Sequence, residues 1–244
     1  MGVVDADGVV LTAREEHGLF AITPDTPATD PSLGSALRLR ATDLPDLMLD
    51  EPTGSLTRTK VHSQELKGIP AGAEADARVR KTLGRDDVRL VWCDDPTRRT
   101  LNPAHSRPED FTAYADGYPI TIASESSLRQ LNDWITEGAL ERGEEPPAPL
   151  PMDRFRPNLV VDGDEPFGED HWTSVVIGDV RFRVAKPTDR CVMTTIDLAS
   201  LMTGKEPIRT LARHRLFDHK TMFAIHLVPG STGRISVGEA VEVS

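Results

Sequence analysis

Apolar residues in this chain fall in short runs cut by glycine and proline, and most runs have the length and alternation of strands rather than the period of helices. Strands are predicted at 3–4, 9–11 and 19–22 around an Asp7-Gly8 turn, then at 37–39, 47–49, 56–61 and 88–93. The helical period occurs at 73–83, ended by Gly84, and at 124–137, where Leu128, Leu131 and Ile135 share a face and Ser124 or Ser126 can cap. A strand at 119–123 leads into that second helix. The last third is again β-rich, with strands at 159–161, 174–177, 180–185, 222–228 and 240–243 and a helix at 207–213. Polar segments at 94–116, a proline-rich stretch at 141–151 and an acidic loop at 162–170 separate these elements. Many strands and few helices predict a mainly β protein, a barrel or sandwich rather than a βαβ fold, cut in the loop near 95–115.

Charge and composition narrow the partners. The 244 residues carry 28 Lys and Arg against 39 Asp and Glu, a net charge of −11, which argues against broad nucleic-acid binding. No apolar run reaches the roughly 20 residues needed to span a bilayer, and residues 1–10 show no secretory signal pattern. Two cysteines cannot form a disulfide framework, so a reducing, cytoplasmic location is expected, with no nucleic acid and no membrane as partner.

Familiar catalytic motifs are absent. There is no phosphate-binding or dinucleotide-binding glycine pattern. The acidic loop fails the calcium-loop spacing, and His214, Asp218 and His219 match no zinc signature; both segments read as solvated surface. Cys93, after Arg89-Leu90-Val91-Trp92, reads as a buried apolar strand residue. Cys191 follows Arg190, with Arg181, Arg183 and Lys186 just upstream, and such cations favour the thiolate that binds soft metals or attacks. A single thiol near charges is also common without function. Arg154, Arg156 and Asn158 share one face if the segment is extended, and arginine forks suit phosphate; two surface arginines paired with local acids is the alternative.

Three blocks together resemble the MOSC domain family, the C-terminal domain of molybdenum cofactor sulfurases, and within it the amidoxime-reducing branch. They are Asp116-Gly117-Tyr118-Pro119 with Ser124-Glu125-Ser126-Ser127-Leu128, then Arg154-Phe155-Arg156-Pro157-Asn158-Leu159-Val160-Val161, then Pro187-Thr188-Asp189-Arg190-Cys191-Val192-Met193-Thr194-Thr195-Ile196-Asp197. Thr12-Ala13-Arg14-Glu15 resembles part of the β-barrel domain that precedes the MOSC domain in that branch, so the resemblance covers nearly the whole chain. It implies an incomplete N-terminal MOSC β-barrel domain at 1–95 packed on a MOSC β-barrel domain at 96–244. The family's Tyr-Pro-Val-Lys-Ser-like segment has no counterpart before Met1, so a shortened first domain, lacking one strand and one pocket lysine, is expected.

The resemblance also implies a site. The family binds the molybdenum cofactor, a pyranopterin (molybdopterin) whose dithiolene holds the metal. Cys191 matches the cysteine that ligates molybdenum and is the expected catalytic residue. Arg156 and Asn158 match residues that hold the pterin and its phosphate, while Ser124, Thr188 and Arg190 fall in blocks lining the same pocket. Arg14 resembles an arginine that reaches the cofactor from the N-terminal domain. The implied activity is that of an oxidoreductase reducing small N-hydroxylated substrates. With no flavin, haem or iron–sulfur motif in the chain, electrons are expected from a separate redox protein. The alternative is a non-catalytic cofactor or sulfur-carrier module that uses a Cys191 persulfide.

Overall fold

The computed structural model describes residues 1–244. The chain is mainly β and divides into two compact units, one formed by residues 1–100 with 111–116 and the other by 101–110 with 117–244. The first unit holds β1 (Gly2–Val4), β2 (Ile22–Asp25), β3 (Leu37–Ala41), β4 (Leu44–Leu49), β5 (Thr57–Val61), β6 (Gln64–Pro70), α1 (Ala73–Leu83) and β7 (Arg89–Trp92). The second holds β8 (Ile120–Ser124), α2 (Glu125–Glu141), β9 (Leu159–Val161), β10 (Ser174–Ile177), β11 (Val180–Asp189), α3 (Ile208–His214), β12 (Leu216–Phe217), β13 (Lys220–Pro229) and β14 (Val241–Val243). No helix is long and apolar enough to cross a membrane.

Two sheets build the first unit, β1-β7-β6-β5 and β2-β3-β4, all antiparallel. Their inward positions, among them Val3, Leu37, Leu39, Leu47 and Leu90, close on Ala75 and Val79 of α1. That helix stops where the sequence predicts, because Gly84 adopts φ 64° and returns its N–H to Arg80 O. Three details depart from the sequence reading. Residues 17–21 form a 3-10 turn rather than the start of a strand, because the Glu16 carboxylate accepts the Gly18 N–H and bends the chain. Residues 9–11 make only isolated bridges, Val4 to Val10 and Val9 to Lys60. Strand β6 is not predicted at all: it is largely polar, and at its centre a side chain on Gly68 would collide with Tyr114 and Trp92 O.

In the second unit one sheet runs β14-β10-β11-β13-β8-β9, with β12 paired to β13. It is antiparallel except for β8 and β9, which run parallel across the α2 connection. One local strand–helix–strand unit therefore sits within the barrel-like sheet, and the fold as a whole is mainly β, as the strand count predicts. The sheet faces two cores. Ile122, Val175, Phe182, Ile225 and Leu227 fill one, while Ala123, Leu131, Ile135, Phe155, Leu211 and Phe223 fill the other. Strand β13 serves both because Ala224 takes φ 69°, a left-handed conformation that interrupts the alternation: Phe223 faces the α2 side and Ile225 and Leu227 face the opposite side.

Candidate functional site

The site begins where β11 leaves the sheet. Strand β11 pairs with β13 through two register shifts, between Val184 and Lys186 and between Pro187 and Asp189. Such bulges twist a strand and re-aim its side chains. At the end of β11 the Arg190 N–H donates to Thr221 O at 2.8 Å, and the Thr221 hydroxyl donates to Arg190 O at 3.0 Å. Cys191 follows at once and opens a 3-10 turn, Val192–Thr195, with its carbonyl accepting from Thr194 N–H and Oγ1. The Cys191 residue is half-buried and its backbone is fixed from both sides.

Arg190 is the anchor of this corner. Its Nε donates to Phe223 O at 2.8 Å and its Nη1 to Phe155 O at 3.1 Å, and its guanidinium lies over both phenyl rings. The residue as a whole is half-buried, but its Nη2 is enclosed. Burial lowers its pKa to about 10, opposed by Cys191 and Asp189 and aided least by the positive charge of Arg156, so it stays cationic at neutral pH. Its Nη2 has no hydrogen-bond partner, nor has the Oγ1 of buried Thr188, two positions upstream. A guanidinium thus stands beside a thiol, with Asp189 and Arg156 both acting on it and with one buried donor and one buried hydroxyl unmet. Anionic, hydrogen-bonding chemistry satisfies such a corner.

The Arg154 segment differs from the sequence reading. Met152–Phe155 is a 3-10 turn and Arg156 has φ 49° and ψ 48°, so the extended-strand argument that put Arg154, Arg156 and Asn158 on one face does not apply. Arg154 pairs with Asp197 at 2.7 Å, which is the local-acid reading, whereas Arg156 is exposed and acts on Arg190. Asn158 is clamped to β8: its N–H donates to Thr121 O at 2.8 Å, and its Oδ1 accepts the Thr121 N–H at 2.9 Å. The Thr121 hydroxyl lies 3.2 Å from His226 Nδ1. Burial, and then the charges of Arg190 and Lys186, lower the His226 pKa to about 4, so the ring is neutral. His226 also packs on the Tyr118 ring at 5.0 Å. Arg156, Arg190 and Cys191 therefore form one cluster, to which Asn158 is joined through Thr121 and His226. His226 carries no motif, and only its place on β13 opposite Lys186 reveals it.

Ser124 and Arg14 have other visible partners. Ser124 is buried and caps α2, its Oγ accepting from Ser126 and Ser127 N–H and lying 2.6 Å from Ser126 Oγ. Ser124→Ala is expected to cost about 1 kcal/mol of stability in a urea melt, the usual worth of such a cap. Arg14, in the first unit, lies 3.9 Å from the Asp116 carboxylate.

The acidic loop is only partly a solvated surface. Asp162, Asp164 and Glu165 are exposed, but Glu169 is buried and accepts from the Ser127 hydroxyl at 2.8 Å, while Ser127 Oγ accepts the Phe167 N–H at 2.7 Å. Burial raises the Glu169 pKa. Folding therefore favours its protonated form. That contribution is complete below the ordinary carboxylate range and is lost as the pH climbs through the raised value. Glu169→Gln is expected to flatten this slope and to exceed wild type in urea midpoint at neutral pH.

The remaining candidates resolve simply. His214 stacks on Trp134 at 4.4 Å, Asp218 and His219 form the β12–β13 turn, and no group of three or more metal-ligating side chains exists. Cys93 is half-buried just past β7, less enclosed than an apolar strand residue, and burial pushes its thiol pKa up.

Comparison with known proteins adds a family. Residues 110–242 match the MOSC domain. The chain is 30% identical over 255 residues to human mitochondrial amidoxime-reducing component 1, covering 98% of this chain and 70% of that protein. It is 30% identical over 258 residues to rat mitochondrial amidoxime reducing component 2, again across 98% of this chain and 71% of the relative. It is 28% identical over 237 residues to the molybdenum cofactor sulfurase of Anopheles gambiae, covering 92% of this chain but 29% of that longer protein.

Proposed function

The chain belongs to the MOSC domain family, and from that premise we propose that it is a molybdenum cofactor-binding oxidoreductase that reduces N-hydroxylated compounds. The observation that carries this reading is the corner at the end of β11, where Cys191 stands beside half-buried Arg190 with Arg156 close by and with Arg190 Nη2 and buried Thr188 Oγ1 unsatisfied. Those groups fit a phosphorylated, heteroatom-rich cofactor: its anionic end pairs with the guanidinium groups and its polar ring meets the unsatisfied Arg190 Nη2 and Thr188 Oγ1. A thiolate suits a soft, sulfur-rich metal site.

When bound, the cofactor supplies a metal that exchanges two electrons with the substrate. The protein's part is to hold and orient it. Cys191 is the metal ligand and the catalytic residue. Arg156 and Arg190 neutralise the cofactor's charge, Thr188 and Asn158 fix its polar edge, and Ser124 and Arg14 complete the set by resemblance. The Thr221 hydroxyl donates to the Arg190 carbonyl and the Thr221 carbonyl accepts the Arg190 N–H, so the pair sets the direction in which Cys191 leaves the strand. Neutral His226 holds the Asn158–Thr121 pair without adding a third positive charge beside Arg190. Because the chain has two cysteines and no bound-cofactor motif of its own for electron supply, a separate redox protein delivers the electrons.

The assay that tests this reading is reduction of an amidoxime to its amidine by purified, molybdenum-loaded protein with a chemical reductant. Turnover proportional to bound molybdenum is expected. Molybdenum-loaded protein without turnover on amidoximes and hydroxylamines contradicts the enzymatic reading and leaves the carrier module.

A further inference from the structure

A cavity of about 750 Å³ lies wholly within the second unit, within the range of small-molecule sites. Its floor is unusual. Arg215 is buried and paired with Asp170, and its guanidinium lies 4.2 Å from the centre of the Phe167 ring and 5.1 Å from that of Phe217. Phe167 in turn stacks on Trp134 at 5.2 Å, and Trp134 stacks on His214 at 4.4 Å. A continuous column of flat groups therefore runs from His214 to Phe217, and Phe217 ends it half-exposed at the cavity, with Met222 and Pro187 as further apolar lining. Arg215 Nε and Asp170 Oδ1 are buried without partners, so the polar part of this floor is incompletely satisfied.

The charges around the cavity cancel. Apart from two histidines, Lys186, Arg215 and Lys220 are matched by Glu165, Asp170 and Asp218. Strong anions and strong cations each meet as much repulsion as attraction there, while a flat uncharged molecule gains ring contact without losing a charge's hydration. We infer that this cavity binds a neutral, planar aromatic small molecule with its ring against Phe217 and its polar group toward the Arg215–Asp170 pair. The inference goes beyond the cofactor reading and does not depend on it: none of Cys191, Arg156 and Arg190 lines the cavity.

Protein-observed NMR on the full chain tests it, with benzamide as the neutral planar probe, cyclohexanecarboxamide as its saturated counterpart, and benzoate and benzamidinium as its charged ones. Benzamide is expected to give saturable shifts grouped at Lys186, Phe217 and Lys220 amides and at the Trp134 indole N–H. The three comparison compounds are expected to bind more weakly. Phe217→Ala is expected to weaken benzamide roughly three- to tenfold, the worth of one aromatic pairing. Phe217→Leu, which keeps apolar bulk on the β12 edge, is expected to behave like the alanine variant and serves if that one does not fold. Absent or scattered shifts, equal binding by cyclohexanecarboxamide, or unchanged affinity in a folded Phe217 variant overturns the inference.

Discussion

Cys191→Ala is expected to abolish reduction of amidoxime and hydroxylamine substrates while leaving the protein folded. The residue is half-buried at the mouth of a turn held by the bonds of its own carbonyl to the Thr194 N–H and hydroxyl. Replacing it with a methyl group should therefore change stability by no more than about 1 kcal/mol. If Cys191 is the metal ligand proposed above, its removal would take a soft donor from the metal that water or an oxide would not replace in kind. Even an outer hydrogen-bond partner of a metal ligand is worth roughly 10–100-fold, so a loss of at least ~100-fold per bound molybdenum is expected. Steady-state rates normalised to molybdenum, with a urea melt as the control for folding, check this. If Cys191 were a packed surface thiol, the variant would lose little stability and no activity.

Arg190→Ala and Arg156→Ala are expected to fail in different ways. Arg190 closes the corner between β13 and the Phe155 turn, donating to two carbonyls and covering two rings. Its removal leaves Phe155 O and Phe223 O without that donor and opens a gap, against which the relief of a buried cation is set. A net loss of about 1–3 kcal/mol in cofactor-free protein is expected. Arg156 is exposed at the turn after Phe155. Arg156→Ala should lower cofactor occupancy with a smaller stability change, and each retained cofactor should keep its turnover rate. Urea midpoints of cofactor-free protein, set beside molybdenum per chain for the same variants, separate the two roles.

The elements legible in the sequence were those with one dominant signal. Helix α1 ends at Gly84 because only a left-handed residue returns its N–H to Arg80, and α2 starts at Ser124 because a hydroxyl there meets two orphan amides. Strand β6 was invisible because its register with β5 and β7 makes it a strand, not its apolar content. The same logic divides the site. Arg190 and Cys191 stand out by chemistry and adjacency. The shared face of Arg154, Arg156 and Asn158 does not hold, because a 3-10 turn and the left-handed Arg156 rotate those side chains apart. His226 and Thr121 reach the corner only through the pairing of β8 and β13, and the Phe155–Phe223 pair, 4.0 Å between ring centres, joins a distant turn to β13. Sequence spacing carries no trace of that pairing, and the bulge at Ala224 that turns Phe223 toward Arg190 has no side-chain signature.

The most direct test is the molybdenum content of the chain purified from a host that makes the cofactor. The corner formed by Cys191, Arg190, Arg156 and Thr188 predicts close to one molybdenum per chain, falling in Arg156→Ala. Wild-type protein that carries no molybdenum, with a persulfide on Cys191, would contradict the account and establish the sulfur-carrier alternative.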